Sequence, residues 1–314
     1  MRALLTTAML VVLVATTWSP TAYAQACCAA AQSSGPTRLS AGQMATAGIG
    51  LNLRRNNGVF TGTDHRSMSK ADYEIRQTGF AAISIKDSLQ VGITAPLVQN
   101  RIRVESMSES GGGFGDLALQ SRFQLLDYPP RTRRPDLGIF ASVTAPTGRS
   151  RTESMANSEG TLQADVTGGE SWQVDAGLQA EWAWFHWFVS SEASASWRHS
   201  YIDATGENVD PGLGMRIRVG IGRILLSSAS TDENLVAAAG ISHMRQGSDR
   251  RAETPVANSD ERLTSADVQL GGHITKNLHA MLSVTTDLRF DQLGKNRYAG
   301  TAVGITIRGV LTDY

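Results

Sequence analysis

Two places in the chain set a nucleophile beside a base. His65-Arg66-Ser67 lies in a polar stretch, and His199-Ser200 sits where an alternating segment ends. A serine activated by histidine suits ester hydrolysis, so a lipid hydrolase is one function to weigh. Successive residues of an extended chain face opposite ways, however, so His199 cannot easily activate Ser200. With six histidines scattered along the chain, such neighbours arise by chance. Cys27 and Cys28 are the only cysteines and are adjacent. A vicinal disulfide or a two-thiolate metal site would need partners, and no histidine or third cysteine lies close. Cleavage after Ala26 would expose Cys27 to a lipid, but Ala24-Gln25-Ala26 lacks the leucine usual in such signals. A P-loop, a dinucleotide fingerprint and clustered metal ligands are all missing. These residues predict no enzyme, no metal site and no cofactor.

The charged residues carry more. Glu74, Arg76, Asp116, Arg122, Asp175, Glu181 and Glu192 all fall on the polar parity of segments that alternate with a period of two. So do Arg198, Arg216, Arg218, Asp267, Asp287 and Arg289. The last hairpin shows the pattern: Ala266, Val268 and Leu270 alternate with Asp267 and Gln269, then Leu282 and Val284 with Ser283. Strand side chains point alternately to two faces, so each segment has one apolar and one wet face. A basic residue facing lipid near the midplane would cost about 2–4 kcal/mol. The thirteen charges are therefore candidates for the lining of a barrel lumen. Acids and arginines there can pair across strands, which fits a salt-bridge lattice filling the barrel as well as a selective channel. Mixed signs argue against a simple anion or cation pore and leave room for a small polar or amphipathic solute.

The elements that would position these charges are strands. Alternation predicts about twelve of them, roughly 43–54, 72–85, 88–98, 114–125, 137–147, 171–182, 185–201, 212–226, 234–244, 262–275, 278–290 and 298–312. Lys86-Asp87, Ala183-Trp184 and Lys276-Asn277 are tight connections, whereas 55–71, 99–113, 148–170 and 245–261 are long and polar. Long outer loops alternating with short periplasmic turns mark an antiparallel transmembrane up-and-down β-barrel, an all-β fold. The connections at 126–136 and 227–233 fall on the periplasmic side without being tight. Trp182, Trp184, Phe185 and Trp187 cluster at one turn, and Trp172, Trp197 and Tyr201 near the opposite strand ends, as two interfacial girdles. The competing account, rings filling a soluble β-sandwich, would need a second apolar face to bury.

The ends agree with export. Arg2, the apolar run Ala3 to Thr17 and Ala22-Tyr23-Ala24 read as a signal peptide, residues 1–24. Residues 25–42 read as a flexible periplasmic segment and 43–314 as the transmembrane barrel. Tyr314 is the kind of terminal aromatic that outer-membrane assembly machinery recognises. Lys+Arg 29 against Asp+Glu 29 argues against nucleic acid as a partner. Gly 31 against Pro 9 suits a tightly twisted sheet. The expected partners are outer-membrane lipid, the assembly machinery and a small-molecule solute, and the expected location is the bacterial outer membrane.

One local pattern is more specific. Gly113-Phe114-Gly115-Asp116-Leu117 opens a strand, and some twenty residues later Val143-Thr144-Ala145 runs into Pro146-Thr147-Gly148. This G-x-GDL strand with a partner ending in P-T-G resembles the outer-membrane transporter family tied to meta-pathway phenol degradation. The adjacent cysteines resemble some members too. The resemblance implies an outer-membrane barrel passing hydrophobic or aromatic compounds. In the motif itself, Gly113, Gly115, Asp116, Pro146, Thr147 and Gly148 read as structural, with the glycines turning the chain from outer loop into strand. A channel or transporter is the leading function. A structural or adhesive barrel whose loops 148–170 and 245–261 bind a partner is the alternative, ahead of the lipid hydrolase.

Overall fold

A computed structural model describes residues 37–39, 43–86, 88–104, 106–126, 135–157, 162–184, 186–203, 205–227, 234–275 and 277–312. The signal peptide, Cys27, Cys28, Phe185 and Tyr314 lie outside the described residues. Twelve strands make the wall: β1 Gln43–Thr61, β2 Asp64–Ile85, β3 Leu89–Val104, β4 Leu117–Leu126, β5 Asp136–Ala145 and β6 Gln173–Trp184. They continue as β7 Trp187–Arg198, β8 Gly214–Ser227, β9 Asn234–Gln246, β10 Glu261–Thr275, β11 Leu278–Asp287 and β12 Tyr298–Thr312. Each pairs antiparallel with the next, and β12 returns to β1 over Gln43↔Thr312 through Val59↔Tyr298, which closes the barrel and leaves no edge.

Parity sorts the side chains as the alternation requires. Ile49, Leu51 and Leu53 on β1, Ile217, Val219 and Ile221 on β8, and Val303, Ile305 and Ile307 on β12 all stand exposed on the outer surface. The intervening positions carry the buried polar groups, among them Gln179, Glu181, Ser190, Arg218, Asp267 and Arg308. Trp182, Trp184 and Trp187 are exposed at one rim, and Trp172 and Trp197 at the other. From Trp172 to Trp182 the chain advances about 33 Å at about 3.3 Å per residue. A strand tilt of about 40° reduces that to about 25 Å, the height of an outer-membrane apolar band.

Two of the expected loops are strand instead. β1 and β2 run on past Arg54 and Asp72 to a tight turn at Gly62, and β3 continues to Val104. There it turns into an additional strand, Met107–Phe114, that pairs back on Leu97–Val104. These hairpins continue past the ends of the alternating stretches, where both faces meet water, so backbone pairing persists where apolar alternation has stopped. β3 changes partner at this height. Its lower half pairs with β4 as far as Thr94↔Ala118, and its upper half pairs with the additional strand from Leu97↔Phe114. Pro96 stands at the switch, where its missing N–H is no loss and its carbonyl accepts from Gly115 N at 2.8 Å.

Inside the wall, phenylalanines lie over glycines. Gly48 pairs with Phe80, Gly177 with Phe140 and Gly222 with Phe188 on adjacent strands. In each pair a side chain on the glycine would strike the neighbouring ring. The rings therefore rest flat against the wall rather than across the lumen. Near the rim of tight turns, Phe188, Ile224 and Val236 pack together as a small apolar cluster.

Candidate functional site

The lumen is divided by segments that fold into it from both ends. From the outer end come 149–157 and 162–171. The short helix, Arg151–Asn157, starts with a reciprocal cap: Glu153 N donates to Ser150 Oγ at 3.1 Å and Ser150 N to Glu153 Oε2 at 3.1 Å. Asp165 then closes the segment on itself, accepting from Ser154 Oγ at 2.5 Å and from Arg149 Nη1 at 2.7 Å. These donors hold its carboxyl below the ordinary range, the Ser154 hydrogen bond contributing most and Arg149 next.

The P-T-G and GDL residues moor this segment. Asp116 Oδ1 accepts from Gly148 N at 2.9 Å, and its Oδ2 from Gly169 N at 2.6 Å. Thr147 Oγ1 accepts from Leu117 N and donates to Gly115 O, both at 3.0 Å. Three glycines cross here: a side chain on Gly148 would lie 2.8 Å from Gly168 Cα and 3.0 Å from Gly115 Cα. Only bare backbone fits. Glu109 adds a second mooring through Leu162 N and Ala164 N, and Thr167 Oγ1 donates to Phe114 O at 2.6 Å. Beside this crossing, and reaching deeper into the barrel, lies an outer chamber of about 890 Å³, with Glu74, Arg76, Asp116, Arg151, Glu170 and Arg198 in its wall.

From the opposite end a strap enters. Thr37, Arg38 and Leu39 are 9 %, 7 % and 2 % exposed. Arg38 Nη2 donates to Glu181 Oε2 at 2.5 Å, and Arg38 O accepts from Arg308 Nη1 at 3.0 Å. Gln90 grips the Leu39 backbone twice, its Oε1 accepting from the N–H at 3.1 Å and its Nε2 donating to the carbonyl at 2.8 Å. Thr37 Oγ1 donates to Gln120 Oε1 at 2.7 Å. Beside the strap is an inner chamber of about 140 Å³ lined by Arg38, Gln120, Arg122, Phe140, Gln179 and Glu192.

The thirteen charges singled out in the sequence distribute among these parts. Glu74 and Arg76 pair at 2.9 Å in the outer chamber, where Arg198 Nε donates to Gln173 Oε1 at 2.9 Å. Asp175 accepts from Ser142 and Gln173 just below. Asp287 is engaged by Arg54, Ser265 and Gly300 N. Arg289 reaches Thr301 at 3.4 Å. Deeper, Arg218 donates from Nη2 to Asp267 Oδ2 at 2.7 Å across Gly240, where a side chain would lie 2.9 Å from both groups. Arg218 also stands directly opposite Glu192 on the next strand, and Arg216 lies two residues above it. Arg122 Nη2 donates to Gln124 Oε1 at 2.9 Å. Arg308, Gln179 and Arg54 were missed, although parity on β12 and β6 marks the first two as inward. Arg38 was beyond reach of that signal, because the strap is not a strand.

The histidine neighbours take other roles. His199 Nδ1 lies 2.8 Å from the backbone carbonyl of Ser200, and the His65 ring packs edge-on against Phe60 at 5.2 Å. Among the described residues no group of three His, Cys, Asp or Glu could hold a metal ion.

A family model described as "Putative MetA-pathway of phenol degradation" matches residues 54–307. Among solved structures, the chain is similar to the COG4313 outer membrane channel from Pseudomonas putida F1, with a TM-score of 0.68 at 15 % identity, over 88 % of this chain and 98 % of that one. Looser likenesses are to the NanC porin, with a TM-score of 0.46 at 10 % identity over 83 % and 100 % of the two chains. The CymD monoaromatic hydrocarbon channel gives 0.42 at 10 % identity over 86 % and 90 %. No curated protein sequence matches the chain significantly.

Proposed function

Because the chain belongs to the family described for the MetA pathway of phenol degradation, we propose that this outer-membrane barrel is a channel for small solutes, hydrophobic or aromatic ones included. The carrying observation is the pair of chambers inside a closed wall, about 890 Å³ and about 140 Å³, each lined by both polar groups and phenylalanine. The thirteen inward charges serve this reading as lining and as wall-bracing pairs, and residues 43–314 act as the transporting unit behind a cleaved leader. Lipid meets the exposed apolar face, and the assembly machinery inserts the barrel. The chain acts without catalysing a reaction: the His199 contact to a backbone carbonyl supports that reading over a lipid hydrolase.

Liposome swelling with sugars, amino acids and aromatic acids tests the proposal, alongside planar-bilayer recording. Uptake of at least one class with discrete conductance steps is expected. A correctly inserted barrel silent in both assays would favour the adhesive reading, for which the long outer hairpins and the small outer sheet of Tyr201–Ile202, Asn208–Asp210, Arg250–Arg251 and Thr254–Pro255 offer a surface. Lysophospholipid release by the refolded protein with calcium present would instead revive the hydrolase.

A further inference from the structure

Charges that look evenly mixed along the sequence separate by depth in the lumen. The outer chamber holds Glu74, Asp116, Glu170 and Asp249 against Arg76, Arg151 and Arg198. In the lining of the inner chamber the balance reverses. Arg38 arrives on the strap, Arg122 lines the wall, and Arg308 meets the strap carbonyl. Arg218 and Arg216 sit on the strand opposite Glu192. Carboxylates share this neighbourhood, namely Glu181 with its strand partner Asp136, Glu192, Asp267, and Asp175 bonded to Ser142 of the wall, while the chamber lining itself holds Arg38 and Arg122 against Glu192 alone. Two of the acids are already spoken for, Glu181 by Arg38 at 2.5 Å and Asp267 by Arg218 at 2.7 Å. Glu192 faces Arg218 directly across the strand pair.

This is the smaller of the two chambers, and a small, low-dielectric enclosure focuses the field of its lining on whatever enters it. Rings of arginine select anions for the same reason. The side chains between the guanidiniums complete a recognisable donor set. Gln120, whose amide oxygen accepts from Thr37 Oγ1, lines the chamber with its side-chain amide. Phe140 lies in the same wall. Guanidinium and amide donors beside one aromatic face suit a small carboxylate carried on a planar apolar body.

We infer that the inner chamber is a specificity site for small organic anions, carboxylates above all, and that the strap completes it by supplying Arg38. This rests on the channel reading and sharpens it, since uncharged and cationic solutes of equal size would pass less well. The probes are therefore one shape in three charge states: benzoate, benzyl alcohol and benzylammonium in liposome swelling, with reversal potentials across a KCl gradient in planar bilayers. For the wild-type barrel, benzoate enters several-fold faster than benzylammonium, and chloride is more permeant than potassium.

Arg216→Gln changes an arginine of the exposed lumen face and leaves both buried ion pairs intact. It reduces both preferences, and Arg38→Gln with Arg216→Gln brings the chloride-to-potassium ratio close to unity. A conducting barrel that prefers potassium or takes benzylammonium fastest overturns the inference and leaves the channel standing. So does a wild-type selectivity that Arg216→Gln does not move. A barrel that conducts nothing overturns the channel reading, and this inference with it.

Discussion

Asp116 receives two backbone N–H groups from different parts of the chain, Gly148 on one oxygen and Gly169 on the other. Hydrogen bonds to a charged acceptor contribute about 1.5–3 kcal/mol each, and unpaired donors left behind add to the loss. Asp116→Ala is therefore expected to free residues 162–171 from the wall while the twelve strands remain paired. Limited proteolysis of folded barrels would reveal new cleavage within 162–171, with the heat-modified gel shift of the barrel retained. Unchanged protease resistance would show that Glu109 and Thr167 suffice. Asp165 adds a pH dependence to the same segment. Its folded value lies below the ordinary 3.8, mainly through the Ser154 hydrogen bond and then through Arg149. Its carboxylate accordingly steadies the segment above that value, and the stabilisation is lost as pH falls through 3.8 and below. Proteolysis with an acid-active enzyme should accelerate in that window, and Asp165→Asn should flatten the dependence.

The strands explain both what the sequence disclosed and what it concealed. All twelve could be placed by alternation, because in the bilayer one face meets lipid and the other water. Alternation vanishes at Arg55 on β1 and near Gln99 on β3, where water bathes both faces, although hydrogen bonding continues to Thr61 and Val104. The polar stretches 55–71 and 99–113 thus read as loops while being largely strand. The GDL strand begins at Leu117 rather than near 114, since Gly115 and Asp116 are committed to the crossing with Gly148 and Gly168. Within the membrane the glycine and phenylalanine pairs make a further prediction. Phe188 is 1 % exposed because Gly222 leaves room for its ring. Gly222→Ala puts a methyl group where that ring rests, and overpacking of this kind costs about 1–3 kcal/mol. The ring must tilt inward, into the cluster with Ile224 and Val236. Lower thermal stability together with smaller conductance steps is the expected pair of results. A stability loss with unaltered conductance would mean the ring moves along the wall instead.

At the scale of the whole molecule, the closed wall was legible and the contents of the lumen only partly so. Parity ranks a residue as inward without saying whether it faces solvent, a partner across the barrel, or another segment of the chain. Asp287 and Arg198 share a parity, yet the first is sealed by three donors and the second borders the outer chamber. The strap was invisible because Thr37-Arg38-Leu39 carries no period, and its place is set by single contacts to Gln90, Gln120, Glu181 and Arg308. Those contacts make its position testable. A side chain on Gly92 would lie 3.0 Å from Thr37 Cβ, and disulfides span about 3.8 Å between Cβ atoms, so a shift of under about 1 Å allows a bridge. With Cys27 and Cys28 replaced by serine, Thr37→Cys combined with Gly92→Cys should cross-link spontaneously on oxidation. A strap fixed across the smaller chamber cannot leave the path, so oxidised barrels should conduct less than reduced ones and recover when a reductant is added. Equal conductance in both states would place the strap outside the route that ions take, and no cross-link at all would remove it from the lumen.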